Sequence, residues 1–192
     1  MTYRVLVICT GNICRSPMGE VVLRDRLAEQ GIHDVEVRSA GVSTEETGNP
    51  IDSRARAVLG EFGHEVPADH HAHRATAEEL READLVLAMT TGHAHSLRSM
   101  MDKLDENPAK IHLWREFDGT LDVAEGGAFG SGGALAEDLA QRSQSANFYR
   151  SSGEFDVPDP WYGDKEGFYD TYQVVSRGAD GVADYIRDQL QN

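Results

Sequence analysis

The stretch Val5-Leu-Val-Ile-Cys-Thr-Gly-Asn-Ile-Cys-Arg-Ser-Pro17 carries an apolar strand straight into a turn and then into a helix start. Residues Arg4–Cys9 are nearly all apolar, the pattern of a buried central strand in a parallel sheet. After them Thr10-Gly-Asn-Ile-Cys14 must curl so that successive backbone N–H groups point inward. Gly11 and Asn12 are the residue types that tolerate the positive φ such a curl needs. Ser16 offers an N-cap oxygen, and Pro17 suits the first helical position. The unsatisfied N–H groups and the positive dipole end of that helix face whatever occupies the loop. The loop is therefore a seat for a tetrahedral oxyanion.

Two side chains give this seat a reactivity. Cys9 stands at the mouth of the turn, where a helix N-terminus and a nearby arginine favour the thiolate. Thiolate is the form that attacks phosphorus and gives a phosphocysteine intermediate. Arg15 presents a two-pronged donor to two phosphoryl oxygens, which lysine cannot reproduce. A strand-end cysteine is ordinarily a small buried hydrophobe, and an arginine after a turn is ordinarily solvated. Strand, Cys9, Gly-Asn turn, Arg15, Ser16 and Pro17 in one register read instead as a covalent phosphate site. Far along the chain, Phe155-Asp-Val-Pro-Asp-Pro-Trp-Tyr-Gly163 presents Asp159 in a Pro-rich turn beside two aromatics. Asp-Pro alone is common turn chemistry. Beside a phosphate site, a carboxyl partly desolvated by aromatics is a candidate general acid for a leaving phenolate.

Composition excludes several classes. With 192 residues the chain fits one domain, 1–192, with an ample core. Its 18 basic and 33 acidic residues, net −15, argue against nucleic acid or anionic membranes as partners. The attraction for an anionic substrate must then be local, from Arg15 and the helix dipole. No apolar run is long enough to span a bilayer. Met1-Thr-Tyr-Arg4 leads directly into the first strand, so no signal peptide is expected. Two cysteines without a disulfide framework suit a reducing cytoplasm. Histidines 64, 70, 71, 73, 93 and 95 have no recognised metal-ligand spacing and are expected at the surface, with no metal site.

The coarse pattern is α/β. Strands are expected at Arg4–Cys9, Val35–Ser39, Asp84–Ala88 and Lys110–Trp114. Helices are expected at Pro17–Gln30, about Ser53–Phe62, after the capping box Thr76-Ala-Glu-Glu79, and from Thr91 to about Met101. In the last helix Phe168, Tyr172, Val175, Ala179, Val182, Ile186 and Leu190 form a core-facing stripe. This alternation predicts a four-stranded parallel sheet, doubly wound with helices on both faces, and the site at the strand carboxyl ends. A Gly-rich insertion at about 118–154, with a short helical stretch near Ala134–Arg142, is expected to be a mobile loop or a lid over the site.

Cys9-Thr-Gly-Asn-Ile-Cys-Arg-Ser-Pro17 together with Asp159-Pro-Trp-Tyr-Gly163 resembles the low-molecular-weight protein tyrosine phosphatases. Ser39-Ala-Gly41, Gly48-Asn-Pro50 with Asp52 and Arg54, and the strand ending in Met89 extend the likeness. The resemblance implies Cys9 as nucleophile, Arg15 as phosphate clamp and Asp159 as general acid, with no cofactor and no metal. It implies a phosphate seat formed by Thr10, Gly11, Asn12, Ile13, Cys14 and Ser16, with Trp161 and Tyr162 walling the substrate ring. Asn12, Ser16 and Ser39 would support the loop, together with a histidine for which His70 is the best match and His71 and His73 lie close. A protective disulfide between Cys9 and Cys14 also fits the resemblance. Phosphotyrosine-containing proteins are the implied substrates. Two departures stand out: Glu45 replaces a rim aromatic, and Thr90 replaces a frequent aspartate. Rival readings are a thiol-dependent arsenate reductase, a protein arginine phosphatase and a phosphate-sensing binding module. Relatives of the arginine type carry threonine where Ile13 stands, and a binding module has no need of a nucleophile.

Overall fold

A computed structural model describes residues 1–137 and 153–191. Strands β1 (Tyr3–Cys9), β2 (Val35–Gly41), β3 (Leu85–Ala88) and β4 (Ile111–Leu113) form one parallel sheet in the order β2-β1-β3-β4. The described helices are α1 (Arg15–Glu29), α2 (Ser53–Glu61), α3 (Ala77–Glu82), α4 (Thr91–Leu104) and α5 (Lys165–Gln191). Side chains alternate across β1 and so divide the core in two. Val5, Val7 and Cys9 pack with residues of α1, α2 and α5, whereas Leu6 and Ile8 pack with residues of α3 and α4. The sheet is thus covered on both faces, as the strand–helix alternation predicts.

The helix ends follow their local chemistry. Thr76 and Glu79 form the expected capping box at α3, and Thr90 Oγ1 accepts from the His93 backbone to cap α4. Asp52 caps α2 in the same way. The start of α1 departs from expectation. The helix begins at Arg15, its N-cap is Cys14, and no side chain caps it. Ser16 turns its hydroxyl to Cys9 and to Ala40 O instead. Pro17 is therefore the third helical residue, where a backbone N–H still has no intrahelical partner to lose.

Within the loop, Asn12 adopts the positive φ, at 60°, and Gly11 does not. Glycine at position 11 serves space: a Cβ there would press on Glu46 Cγ at 2.8 Å.

On α5 the predicted stripe is buried from Phe168 to Ile186, while Leu190 is 43% exposed because the helix outruns the body. The helix crosses so close to Trp114 that a Cβ on Gly178 would fall on the indole. The Gly-rich insertion departs from expectation too. Part of its described stretch packs down rather than standing off as a lid or mobile loop. Ala128, Phe129 and Leu135 join the core on the α4 face, and Ala128 N donates to Ile111 O at 2.8 Å along the edge of β4. Gly127, at φ 75°, permits this approach, since a Cβ would collide with Ala109 O. Residues 138–152, with most of the helical stretch expected near Ala134–Arg142, lie outside the described residues. Among the described residues, no helix is long and apolar enough to cross a membrane.

Candidate active site

Strand β1 has β2 on one side and β3 on the other, so its carboxyl end lies where the chain's crossovers diverge. Ligands of open α/β sheets bind at such a point. Cys9 is the last residue of β1, and the loop Thr10–Cys14 follows it. Four of the five carbonyls of this loop are held by hydrogen bonds. Thr10 O accepts from Val42 N and Ser43 N, Asn12 O from His70 Nε2, Ile13 O from Asp52 N, and Cys14 O from Met18 N. In a trans peptide the N–H points opposite to the C=O. The N–H groups of Gly11, Ile13, Cys14 and Arg15 therefore turn to the hollow of the loop.

Asn12 organises this arrangement from beneath, fully buried. Its Nδ2 donates to Ser16 Oγ at 3.0 Å and to Ser39 Oγ at 2.9 Å, and its Oδ1 accepts from His73 N at 3.2 Å. Ser39 in turn donates to Glu20 Oε2 at 2.5 Å. Ser16 Oγ lies 3.1 Å from Cys9 Sγ and 3.2 Å from Ala40 O, and Asn12 N donates to the sulfur at 3.3 Å. A hydroxyl has one proton to give. With Cys9 as thiol, S–H donates to Ser16 and Ser16 donates to Ala40 O. With Cys9 as thiolate, the Ser16 proton turns to sulfur, and the Asn12 N–H remains aimed at it. The site can thus carry either form without moving a heavy atom.

The second thiol is unlike the first. Burial pushes Cys14 well above the ordinary thiol range, and the nearby Asp52 raises it further. Cys14 is thereby kept protonated and poorly nucleophilic. Both cysteines are free, and both line the same cleft.

Arg15 is buried, with Nη1 donating to Val157 O at 3.3 Å and Nη2 to Asp159 Oδ2 at 3.1 Å. Asp159 is 42% exposed on its side chain and ion-paired, rather than desolvated by its aromatic neighbours as the sequence suggests. Its loop is pinned at several points. Val157 N donates to Met89 O, Asp156 accepts from Thr91 N, Thr171 Oγ1 donates to Pro158 O, and Trp161 N donates to Asp159 Oδ1. Cys9, Thr10, Gly11, Ile13, Cys14, Arg15, Glu45, Glu46, Asp159, Trp161 and Tyr162 line one cleft. Tyr162 is 92% exposed and Trp161 41%, so both offer ring faces at its mouth. Asn12 and Ser16 lie beneath the cleft, and their side chains face the supporting network rather than the opening.

The profile of the family described as "Low molecular weight phosphotyrosine protein phosphatase" matches residues 4–128. The chain belongs to this family. A "Low molecular weight protein-tyrosine-phosphatase" of Streptomyces coelicolor is 33% identical over 192 residues, covering 100% of this chain and 98% of that protein. Among solved structures, YfkJ from Bacillus subtilis superimposes with a TM-score of 0.73 at 25% identity, covering 98% of this chain and 97% of that one. The YwlE arginine phosphatase from Geobacillus stearothermophilus gives 0.70 at 26%, over 99% and 97%.

In this member of the low-molecular-weight phosphatase family, of the three neighbouring histidines it is His70 whose ring contacts the loop. His73 reaches Asn12 through its backbone and turns its ring to Glu79, and His71 points at Gly48 O at 3.5 Å. Two further supports were not legible in the sequence. Glu20 sits on the first turns of α1 among buried residues, and an acid in that position is the signal that was available. His93, expected at the surface, is 5% exposed, and its Nε2 lies 2.8 Å from Thr10 Oγ1. Burial, aided by the Arg15 charge, lowers it to about 3, so it is neutral near pH 7. His64 is also enclosed, between Asp25 and Tyr172.

Proposed function

We propose that the chain hydrolyses phosphotyrosine and related aryl phosphates through a phosphocysteine on Cys9. Family membership supports the reaction class, and the convergence of Cys9, Arg15 and Asp159 on one cleft carries the residue roles. Cys9 thiolate attacks phosphorus as the P–O(aryl) bond breaks, and Asp159 gives its proton to the leaving phenolate. Arg15 and the inward N–H groups hold the equatorial oxygens as charge spreads in the transition state. Asp159, now a carboxylate, takes a proton from water, whose oxygen attacks phosphorus and breaks the S–P bond. The Cys9 thiolate returns. An incoming phosphoryl dianion competes with Asp159 for Arg15, which frees the carboxyl to turn to the leaving oxygen.

Asn12, Ser16, Ser39 and His70 keep the loop in shape, and Trp161 and Tyr162 wall the phenyl ring. Glu45 and Glu46 on the rim disfavour acidic sequences around the phosphotyrosine. Two free thiols, one of them required for turnover, support a cytoplasmic location. Cys9 near the start of the chain and Asp159 near its end support a single domain over 1–192. A second reading, phosphoarginine hydrolysis, rests on the fold match to an arginine phosphatase. Ile13 on the cleft wall weighs against it. Competition between phosphotyrosine and phosphoarginine decides the two: turnover dominated by phosphoarginine would overturn the phosphotyrosine reading.

The acid assignment has its own test. Asp159→Ala lowers kcat/KM for phenyl phosphate, a poor leaving group, by about 10²–10⁴-fold. For 4-nitrophenyl phosphate, whose phenolate leaves without help, the loss is much smaller. Equal losses on both substrates contradict the role of Asp159.

A further inference from the structure

Arg54 touches neither Cys9 nor the hollow of the phosphate loop, yet one guanidinium joins three parts of the site. On one side it forks onto Asp52, with Nε to Oδ1 at 3.1 Å and Nη2 to Oδ2 at 3.0 Å. Asp52 is itself fixed to the phosphate loop, since its N–H donates to Ile13 O at 2.9 Å. On the other side Arg54 Nη1 reaches two carbonyls of the Asp159 loop, Gly163 O at 3.3 Å and Trp161 O at 3.5 Å. Its Cζ also lies 5.5 Å from the Trp161 ring centre and 4.6 Å from that of Phe168 at the start of α5. Both distances suit a cation over an aromatic face.

The pairing is a fixed one. Burial works to raise Asp52, but the hydrogen bonds and charge of Arg54 outweigh it and hold the carboxyl below the usual range. Arg54 is raised in return, chiefly by the same hydrogen bond. A partly buried, bidentate pair of this kind is geometrically specific in a way that an exposed ion pair is not.

We infer that the Asp52–Arg54 pair is a positioning device that sets the height of the Asp159–Trp161–Tyr162 segment over the phosphate loop. The logic is geometric. Asp159 must place its proton on the leaving oxygen of a phosphoryl group seated in the loop, so the two loops must keep a fixed separation. Carbonyl contacts of Val157 and Pro158 hold the segment ahead of Asp159, and Arg54 holds the segment behind it. With Arg54 gone, residues 161–163 lose these ties, and Asp159 is left with its Arg15 pair, which an incoming phosphoryl group contests, and the contacts ahead of it. A proton donor misplaced by about 1 Å can lose two orders of magnitude in rate.

This rests on Asp159 being the general acid, and the test separates the two. Arg54→Met keeps the stem over Phe168 and removes the fork. It is expected to lower kcat/KM for phenyl phosphate by about tenfold or more, and for 4-nitrophenyl phosphate by less than about threefold. Inhibition by inorganic phosphate, which has no leaving group for Asp159 to protonate, changes by less than about threefold. In an Asp159→Ala background the Arg54→Met change costs nothing further on phenyl phosphate. Arg54→Lys keeps the cation without the fork and falls between wild type and Arg54→Met; it also serves as the readout if the methionine variant melts early. Equal losses on both aryl phosphates, weakened phosphate inhibition, or an undiminished loss in the Asp159→Ala background overturn the proposal while leaving the acid in place. If Asp159→Ala is itself indifferent to the leaving group, the acid assignment fails and this proposal fails with it.

Discussion

Cys9→Ser lowers kcat on aryl phosphates by at least about 10⁴-fold, while inorganic phosphate still binds. Both halves follow from the way the loop is held. The proposed phosphate seat consists of backbone N–H groups whose opposing carbonyls are fixed by Val42, Ser43, His70, Asp52 and Met18, and none of these depends on the sulfur. Serine also fits the space and can bond Ser16. It fails as a nucleophile because a hydroxyl needs a general base to attack. Among the described residues, the groups within hydrogen-bond reach of Cys9 Sγ are the Ser16 hydroxyl and the Asn12 N–H, and neither is a base. Cys14 is no substitute, since burial keeps it protonated. Steady-state kinetics and phosphate inhibition constants check both halves.

Arg15→Lys lowers kcat by about 10²–10³-fold, the scale of removing one preorganised donor to a developing oxyanion. Arg15 is buried, and its two terminal nitrogens already take different partners, Val157 O and Asp159. Lysine brings one ammonium, which cannot hold two phosphoryl oxygens and the Val157 carbonyl in the same plane. The loss falls on kcat more than on KM, because the fork fits the trigonal arrangement of the transition state better than the tetrahedral ground state. A loss confined to KM contradicts this role.

The turn after β1, the strand that leads to it and the doubly wound sheet were legible because each rests on a local rule. Apolar runs mark buried strands, Thr76 and Glu79 mark a helix start, and Asn12 marks a left-handed turn. Ser16 misled, since the preference of serine for N-caps is a statement about isolated helix ends. Here a thiol and the Ala40 carbonyl compete for the same hydroxyl. His93 was illegible because its burial comes from the meeting of α4 with a loop more than eighty positions earlier, at Thr10. The Arg54 contacts span more than a hundred positions to Trp161 and Gly163, so spacing alone carried no trace of them. The described part of the insertion misled for a related reason. Its glycines read as freedom, yet Gly127 is there because the backbone at Ala109 comes too close for a side chain.

The covalent intermediate can be sought where it should build up. In the Asp159→Ala variant 4-nitrophenolate still leaves readily, but the carboxylate that would activate water is gone. Phosphocysteine should then accumulate. Acid quenching of this variant during turnover of 4-nitrophenyl phosphate, followed by peptide mass spectrometry, should find one phosphoryl group on Cys9. A phosphoryl group on any other side chain, or continued turnover with Cys9 unlabelled throughout, contradicts the mechanism.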